Sequence, residues 1–479
     1  MKYDIIIIGA GLGGLTAGAK LAKEGKSVLL IEQHSKPGGC ATTFKRHGFT
    51  LEVGLHEMDG PSPRDMKNRI FTELEVFGNV EFIKVPEFYH FVSERIDISI
   101  PHDPVAATSI LKEKFPTEAT GIDSFFNQIL NPKRKPVADE LVKDQSVGEF
   151  LDSIINNEDL KLVLLGNLGY FHDDPYSISL AYYSVAQGSY FSGGASFIKG
   201  GSQRLSDHLA EFIRKHGGKV MLNHLVTGFI EENGKLAGVI FRQTRRDDSE
   251  IQKTYAGEII ANAAMPSIAE MLPDEIAKRL KEEICNQKTG ASLLSIYFGF
   301  KHNLKNIGHI HYSTFFFDNS IISLDDIHKN NKGDFSSRSF TFIDYGQIDS
   351  CLAPEGKSVG AVCCIDYTSR WEDLSRAAYM DKKKEVADIF IRRLENHIPG
   401  ITEEIEYHEV GTPLTVRRYT LNPGGAVYGF AQTPGRSLID TSKLPDNLHF
   451  ASAWGKTGGG FSGAIYSGFL CAYNILRKR

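Results

Sequence analysis

The sequence predicts an α/β protein, because its first elements have the pattern of a βαβ unit. Residues 5–8 are four isoleucines, a continuous β-branched run typical of a buried parallel strand. A helix rich in small residues is expected over 12–23. Gly25 then ends it, and a second apolar strand follows at 27–31. These elements, in this order, begin a doubly wound nucleotide-binding domain of the Rossmann type.

The glycines after the first strand carry the chemistry of this unit. Gly9, Gly11 and Gly14 form a G-x-G-x-x-G motif at the start of the helix. The first permits a tight turn, the second the approach of a pyrophosphate, and the third close packing of helix and strand. Glu32 ends the second strand, where a carboxylate can bind both ribose hydroxyls. The predicted ligands of this part are Gly9, Gly11, Leu12, Gly13, Gly14, Glu32 and Gln33.

Two further glycine clusters favour FAD over a nicotinamide cofactor. Residues 37–42 offer a second stretch of backbone amides directly after Glu32, which a nicotinamide enzyme does not need there. Residues 458–460 open a helix whose N-terminus can point amides at the flavin N1 and C2 carbonyl. FAD is therefore the expected cofactor. Its further predicted contacts are Gly38, Gly39, Cys40, Ala41, Thr42, Val226, Gly455, Gly459, Gly460, Phe461 and Ser462.

The central part of the chain returns to the pattern of the first unit. A helix is predicted over 202–216, with its apolar residues on one face. The β-rich runs 226–231 and 236–241 are joined through Asn233-Gly234, a strong hairpin signal, and a strand follows at 258–262. One last short strand, at 448–451, leads into the C-terminal glycines.

The segments between these elements have a different composition. Residues 60–194 mix short apolar runs with proline and charge, and aromatic alternating runs occur at 296–300, 312–317 and 340–345. We therefore predict an inserted α+β substrate domain. The predicted division gives 1–60, 195–262 and 405–479 to a discontinuous FAD-binding domain, and 61–194 and 263–404 to the substrate domain.

Composition limits the partners and the location of the chain. A formal charge of −5 over 479 residues gives no case for a nucleic-acid partner. Six cysteines without a CxxC spacing indicate a reducing compartment, and no apolar run reaches the length of a membrane span. A cytoplasmic location is expected, with peripheral contact to an inner membrane left open. The basic cluster Lys133-Arg134-Lys135 could bind acidic headgroups or be a solvated loop.

Histidines in the second half of the chain raise the question of a metal. Four histidines in this region have no carboxylate or cysteine at the spacing of a metal site. Surface or packed roles are therefore preferred for them, and no metal is expected. They are His302, His309, His311 and His328.

Longer motifs identify a family resemblance that covers most of the chain. The sequence resembles the phytoene desaturase, carotenoid isomerase and retinol saturase group of flavoproteins, and its 39–44 and 53–56 segments look most like retinol saturase. Two departures are Ala451-Ser452, where the group has a small residue and glycine, and Glu52, where aspartate is usual. Other matching segments are 31–32 with 37–39, 49–54, 198–202, 217–218, 412–415, 424–430 and the C-terminal glycines.

The resemblance implies a glutathione-reductase-like flavoprotein and a redox activity. The expected reaction moves a hydride between flavin N5 and a carbon of a long apolar polyene or isoprenoid. Reduction of a C=C bond is preferred, with His56 or Tyr428 as proton donor, and His56 is expected to titrate near neutrality.

Several alternatives to this reading remain open. They are desaturation, isomerisation by reduced flavin and, with less support, a non-catalytic escort-like binding protein on the same fold. No second G-x-G-x-x-G follows a strand, so the electron donor or acceptor is unknown. The residues Tyr182, Tyr183, Tyr190, Phe191, Phe197 and Phe315 to Phe317 form either the substrate tunnel or ordinary core.

Overall fold

The structure is a computed structural model that describes residues 2–63, 65–132, 145–244 and 250–478. Within these ranges the strands are β1 (Lys2–Ile8), β2 (Val28–Ile31), β3 (Thr43–Arg46), β4 (Phe49–Glu52), β5 (Met58–Asp59), β6 (Phe82–Lys84), β7 (Tyr89–Val92), β8 (Asp97–Ile100), β9 (Ala195–Ile198), β10 (Lys219–Met221), β11 (His224–Glu232), β12 (Lys235–Gln243), β13 (Gln252–Ala261), β14 (Ser292–Phe300), β15 (Ser313–Phe316), β16 (Phe340–Asp344), β17 (Ser358–Asp366), β18 (Ile405–Gly411) and β19 (Leu448–Phe450).

The helices lie between these strands and after the last of them. They are α1 (Leu12–Lys23), α2 (Met66–Glu73), α3 (Pro104–Lys114), α4 (Ala119–Leu130), α5 (Val147–Ile154), α6 (Glu158–Leu164), α7 (Leu180–Gly193), α8 (Gln203–Lys215), α9 (Met265–Ala269), α10 (Asp274–Ile284), α11 (Leu324–Asn331), α12 (Arg376–His397), α13 (Ile401–Glu404), α14 (Pro413–Thr420) and α15 (Gly460–Arg477).

The first large sheet is assembled from distant parts of the chain. Its strand order is β10-β2-β1-β13-β12-β11, and β19 pairs with the end of β13 that β12 leaves free. The pairs of β1 with β2 and with β13 are parallel, and β11-β12 is the predicted antiparallel hairpin. The predicted Rossmann-type α/β fold is confirmed.

Helices α1, α8 and α15 cover one face of this sheet. The small residues of α1 allow close packing, since a Cβ on Gly18 would lie 2.9 Å from a methyl carbon of Ile213 in α8. Gly468 of α15 has the same property, because its Cβ would lie 2.1 Å from the carbonyl oxygen of Gly13. The N-terminal and C-terminal helices therefore meet backbone to backbone, and this contact brings both glycine-rich segments together.

The second large sheet has the order β18-β14-β17-β16-β15-β7-β8 and is antiparallel except between β15 and β7. Alternate residues of β14 point to opposite faces. Leu294 and Ile296 enter a core shared with Phe390 of α12, whereas Leu293 and Ser295 face a cavity. One face of the sheet is thus closed by α12 and the other is available to a ligand.

The division of the chain into two domains stays a prediction, and β18 differs from it. Residues 405–411 were assigned to the FAD-binding domain, but β18 pairs with β14 at the edge of the second sheet. Its burial alternates only weakly and it is mostly exposed or half-buried, so its apolar pattern gave no signal of this pairing.

Candidate functional site

A cavity of about 2370 Å³ extends from the glycine loops of the first sheet to the open face of the second sheet. Pockets for ordinary ligands occupy about 300–1,000 Å³, so this one can hold a dinucleotide and a second long ligand together. Its wall contains 18 of the predicted site residues. They are Gly9, Gly11, Leu12, Gly13, Glu32, Gln33, Gly38, Gly39, Cys40, Ala41, Thr42, Val226, Gly459, Gly460, Phe461, Ser462, His56 and Tyr428.

Two predicted ligands, Gly14 and Gly455, lie outside this wall. A Cβ on Gly14 would come within 2.3 Å of the carbonyl oxygen of Gly9, which fits the packing role expected of the third motif glycine. Gly455 closes a turn by donating from its N–H to the carbonyl oxygen of Ser452, at 3.1 Å. Both glycines shape the backbone behind the cavity rather than the surface of it.

The two N-terminal glycine loops are joined into one cradle. Gly9 has a φ of +95°, and a Cβ there would meet the carbonyl oxygen of Asn262 at 2.9 Å. The N–H of Gly38 donates to the carbonyl oxygen of Ala10 at 2.7 Å, which fixes the second loop against the first. Bare backbone therefore lines this part of the cavity, and it leaves room for a phosphate group to approach closely.

Glu32 lies at the edge of this cradle and is 7% exposed. One carboxylate oxygen, Oε2, accepts from the N–H of Ala10 at 2.7 Å, and Oε1 accepts from the N–H of His34 at 2.8 Å. Burial raises the pKa of Glu32, while these backbone hydrogen bonds act in the opposite direction. Each oxygen keeps a lone pair for a further donor, so the carboxylate can accept from two hydroxyl groups of a ribose.

The start of α15 lies at the opposite side of the cavity. Its N-cap is Gly459, which has no side-chain hydrogen bond to the helix, and Gly460 has a φ of +75° with open space at its Cβ position. A Cβ on Gly459 would lie 2.5 Å from Cα of Tyr428, so only glycine permits this approach. The uncapped helix N-terminus faces the cavity and favours negative charge there.

The departures from the family pattern fit the local packing. The carbonyl oxygen of Ala451 would lie 1.7 Å from a Cβ on Gly13, so the end of β19 is pressed against α1. Ser452 turns its hydroxyl toward the N–H of Trp454, at 3.3 Å. Glu52 is buried and accepts from the N–H and the hydroxyl of Ser202, both at 2.7 Å. The longer glutamate thereby connects the loop after β4 to the start of α8.

The structure corrects the expected titration of His56. Burial lowers the pKa of His56 to about 4, so the imidazole is neutral at pH 7 and has no imidazolium proton to donate. Its carbonyl oxygen accepts from the hydroxyl of Tyr312 at 2.5 Å, and its ring centroid lies 5.6 Å from that of Tyr170. Burial raises the pKa of Tyr428 far above the ordinary range. The catalytic roles of His56 and Tyr428 stay predictions.

The aromatic residues expected to form either tunnel or core divide between both roles. Cavity-lining positions are Tyr182, Tyr190, Phe315 and Phe317, whereas Tyr183, Phe191, Phe197 and Phe316 are buried in core clusters outside the cavity wall. Alternation along β15 explains the separation of Phe315 and Phe317 from Phe316.

A buried cluster of charged and polar residues beside α15 was not foreseen. Lys67 is fully buried, forms ion pairs with Asp59 and Asp65, and donates to the hydroxyl of Tyr466 at 2.9 Å. Ser462, in the first turn of α15, donates to Asp59 at 2.5 Å. Asp59, Asp65 and Lys67 are close in sequence, but Tyr466 and Ser462 follow about 400 residues later. Ser462 was predicted only as a cofactor contact, and no sequence signal relates the two parts of the cluster.

Glu57 was also missed, although it follows His56 directly. It lines the cavity, is 7% exposed, and neither carboxyl oxygen has a hydrogen-bond partner among the described residues. The signal that could have found it is a glutamate flanked by residues expected to be buried, such as Leu55 and Met58.

The histidines do not form a metal centre in the described part of the chain, where no group of three or more His, Cys, Asp or Glu side chains could hold an ion. His311 instead contacts Glu87 at 3.1 Å, and His302 contacts Glu404 at 2.9 Å. In the same described ranges, no helix has the length and apolar character of a membrane span. The Lys133-Arg134-Lys135 cluster lies outside the described residues.

Comparison with known proteins identifies the family. The family described as "Flavin containing amine oxidoreductase" matches residues 12–476, so the chain belongs to it. A chloroplastic prolycopene isomerase of Daucus carota is 28% identical over 99% of this chain and 80% of its own length. An all-trans-retinol 13,14-reductase of Danio rerio is 24% identical over 99% of this chain and 86% of its own length. The resemblance found in the sequence is confirmed, with relatives from both the isomerase and the reductase side.

Solved structures share the fold of this chain. An oxidoreductase of Methanosarcina mazei superposes with a TM-score of 0.67 at 19% identity, over the full length of both chains. Wild-type putrescine oxidase bound to putrescine gives a TM-score of 0.68 at 17% identity, again over both full chains. The protein is an oxidoreductase with FAD as its cofactor, and the glycine cradle, Glu32 and the uncapped start of α15 fit that cofactor.

Proposed function

Because the chain belongs to a flavoprotein family with carotenoid and retinoid enzymes among its relatives, we propose that it reduces a C=C bond of a long apolar polyene or isoprenoid. The observation that carries the proposal is the continuity of the cavity, which joins the glycine cradle to an apolar chamber. That chamber is lined by residues such as Leu165, Phe315, Phe317 and Ile365. An extended hydrocarbon can lie along these side chains without leaving polar groups unsatisfied.

Each part of the wall has a distinct task in this proposal. The cradle and Glu32 bind the pyrophosphate and adenosine ribose of FAD, and the start of α15 stabilises negative charge at the other end of the cofactor. FAD, when reduced, supplies a hydride from N5. The apolar chamber orients the polyene and excludes water, so the hydride is not lost to solvent. A proton must then reach the neighbouring carbon from an acid in the wall.

Isomerisation is the second candidate, because a prolycopene isomerase matches over nearly the whole chain. It needs the same cavity and the same reduced cofactor but leaves the mass of the polyene unchanged. Desaturation would be the reverse hydride transfer, from a more saturated substrate to oxidised FAD. The electron donor and any membrane contact stay predictions.

One experiment separates these reactions. Purified protein should be yellow with bound FAD, and photoreduced protein should be mixed anaerobically with a conjugated polyene while the flavin absorbance is followed. Reoxidation of the flavin with a product heavier by two hydrogens is the expected result. A product of unchanged mass would indicate isomerisation, and reduction of oxidised flavin by a more saturated polyene would indicate desaturation. Colourless protein that cannot be reconstituted with FAD would contradict the cofactor assignment itself.

A further inference from the structure

The start of α15 is a run of glycines, which gives this part of the helix little preference of its own for one geometry. Gly458 and Gly460 have φ values of +73° and +75°, and Gly459 is an N-cap without a side-chain hydrogen bond to the helix. Glycine has more conformational freedom to lose on folding than any other residue. The direction of this helix N-terminus, which faces the cavity, therefore has to be fixed by contacts made elsewhere.

The next turn of the helix supplies two anchored side chains. Ser462 and Tyr466 are four residues apart, so they lie on the same face of α15. The hydroxyl of Ser462 donates to Asp59 at 2.5 Å, and the hydroxyl of Tyr466 donates to Asp65 at 2.5 Å. Hydrogen bonds to ionised acceptors are shorter and about twice as strong as those between neutral groups. The first two turns of α15 are thus attached at two points to carboxylates of another segment.

Lys67 holds these two carboxylates together. Its ammonium forms ion pairs with Asp59 and, at 2.7 Å, with Asp65, and it donates to the hydroxyl of Tyr466 at 2.9 Å. The side chain of Lys67 is fully buried, and those of Asp59 and Asp65 are 9% and 10% exposed. A buried network of this kind, in which each charge has a partner, makes its surroundings rigid. Lys67, Asp59, Asp65, Ser462 and Tyr466 together form the α15 clamp.

The α15 clamp lies where it can fix the position of the helix start relative to a cofactor. Every member except Lys67 lines the cavity that Gly459 and Gly460 also line. Asp65 is in addition the N-cap of α2, where it accepts from the N–H of Lys67 at 2.8 Å. The clamp therefore joins the beginnings of two helices, α2 and α15, in the wall of the cofactor cavity.

We propose that the α15 clamp positions the N-terminus of α15 against the flavin and thereby raises the reduction potential of bound FAD. This inference rests on the part of the proposed function that places the start of α15 at the flavin end of the cofactor. Negative charge settles at N1 and the C2 carbonyl when a flavin is reduced, and a helix N-terminus stabilises such charge. The interaction falls off within the first turn, so it depends on where that turn is held. Ser462 and Tyr466 are positioning residues here, since they act through the helix.

The test measures the equilibrium between oxidised and reduced flavin in FAD-loaded protein, against a redox dye of known potential and without any polyene. Ser462→Ala and Tyr466→Phe each remove one hydroxyl and keep the three charges of the clamp. Each should decrease the equilibrium constant for flavin reduction by about 2- to 30-fold, the range in which a helix N-terminus stabilises a nearby charge. The matched control Tyr473→Phe removes a hydroxyl from the exposed part of α15 and should leave this equilibrium as it is in wild type.

This readout separates positioning from a structural role alone. A structural role would weaken the binding of oxidised and reduced FAD equally, and the equilibrium between them would not change. Wild-type reduction equilibria in folded, FAD-loaded Ser462→Ala and Tyr466→Phe would therefore overturn the proposal. Because no polyene is used, the outcome is independent of the reaction proposed above. Shifted equilibria in both variants, together with wild-type enzyme that leaves polyenes unchanged, would support the clamp and refute the proposed reaction.

Discussion

Replacing Glu32 with alanine is expected to weaken FAD binding and to loosen the loop that holds it. If the carboxylate accepts from both ribose hydroxyls, the change removes two charge-assisted hydrogen bonds, about 2–4 kcal/mol in total. That corresponds to a dissociation constant roughly 30-fold to several hundred-fold higher. The same change also leaves the N–H groups of Ala10 and His34, now 2.7 and 2.8 Å from the carboxylate, without their acceptor. Each buried donor left unpaired costs about 1–3 kcal/mol, so the apoprotein should lose stability as well.

Two measurements separate these effects. Titration of apoprotein with FAD, followed by flavin fluorescence, measures the affinity for FAD. Thermal unfolding of the apoprotein measures the stability lost when the two N–H groups of the loop have no acceptor. Glu24→Ala, on an exposed carboxylate at the end of α1, is a suitable control. Unchanged FAD affinity in a folded Glu32→Ala protein would show that Glu32 does not bind the ribose.

The other predictions concern packing and titration. Gly13→Ala should lower the free energy of unfolding by about 1–3 kcal/mol or more and reduce FAD occupancy, because its Cβ would lie 1.7 Å from the carbonyl oxygen of Ala451. A melting temperature equal to that of wild type would contradict this. Lys67→Met should lower the free energy of unfolding by about 3–5 kcal/mol in denaturant titrations, since it leaves two buried carboxylates without their cation. The raised pKa of Glu57 means that the folded state holds more protons than the unfolded state, so its stabilisation is lost as pH rises above about 4.5. The melting temperature of Glu57→Gln should therefore increase relative to that of wild type as pH rises. A difference in melting temperature that stays constant with pH would count against this reasoning. His56→Phe should leave the pH profile of flavin reoxidation by a polyene unaltered near neutrality, because the pKa of His56 is about 4; loss of a transition near pH 6.5 in the variant would contradict this.

The sequence was sufficient for the features that depend on local pattern. Four consecutive isoleucines, a glycine motif and Glu32 follow one another within a short stretch, and their geometry is fixed by strand, turn and helix. The Asn233-Gly234 turn is local in the same way, and the structure has the hairpin there.

What the sequence could not supply depends on contacts between distant segments. The second-sheet position of β18, the fit of Gly13 against Ala451 and the contact of buried Lys67 with Tyr466 of α15 all follow from tertiary packing. The titration of His56 was mispredicted for the same reason, since its pKa depends on how completely other segments enclose it.

The pairing of β19 with β13, and of α15 with α1, also has a consequence for how the protein is made. The wall of the cofactor cavity contains both Gly9 and Gly460, which are far apart in the sequence. At a synthesis rate of about 5–20 residues per second, roughly 450 residues separate these two glycines by about 20–90 s on the ribosome. Within that interval the face of α1 that receives α15 is uncovered, and β13, once made, has an unpaired edge until β19 follows. The nascent chain therefore exposes these surfaces to aggregation and to chaperones until α15 emerges, and the FAD site is complete only after α15 has been made.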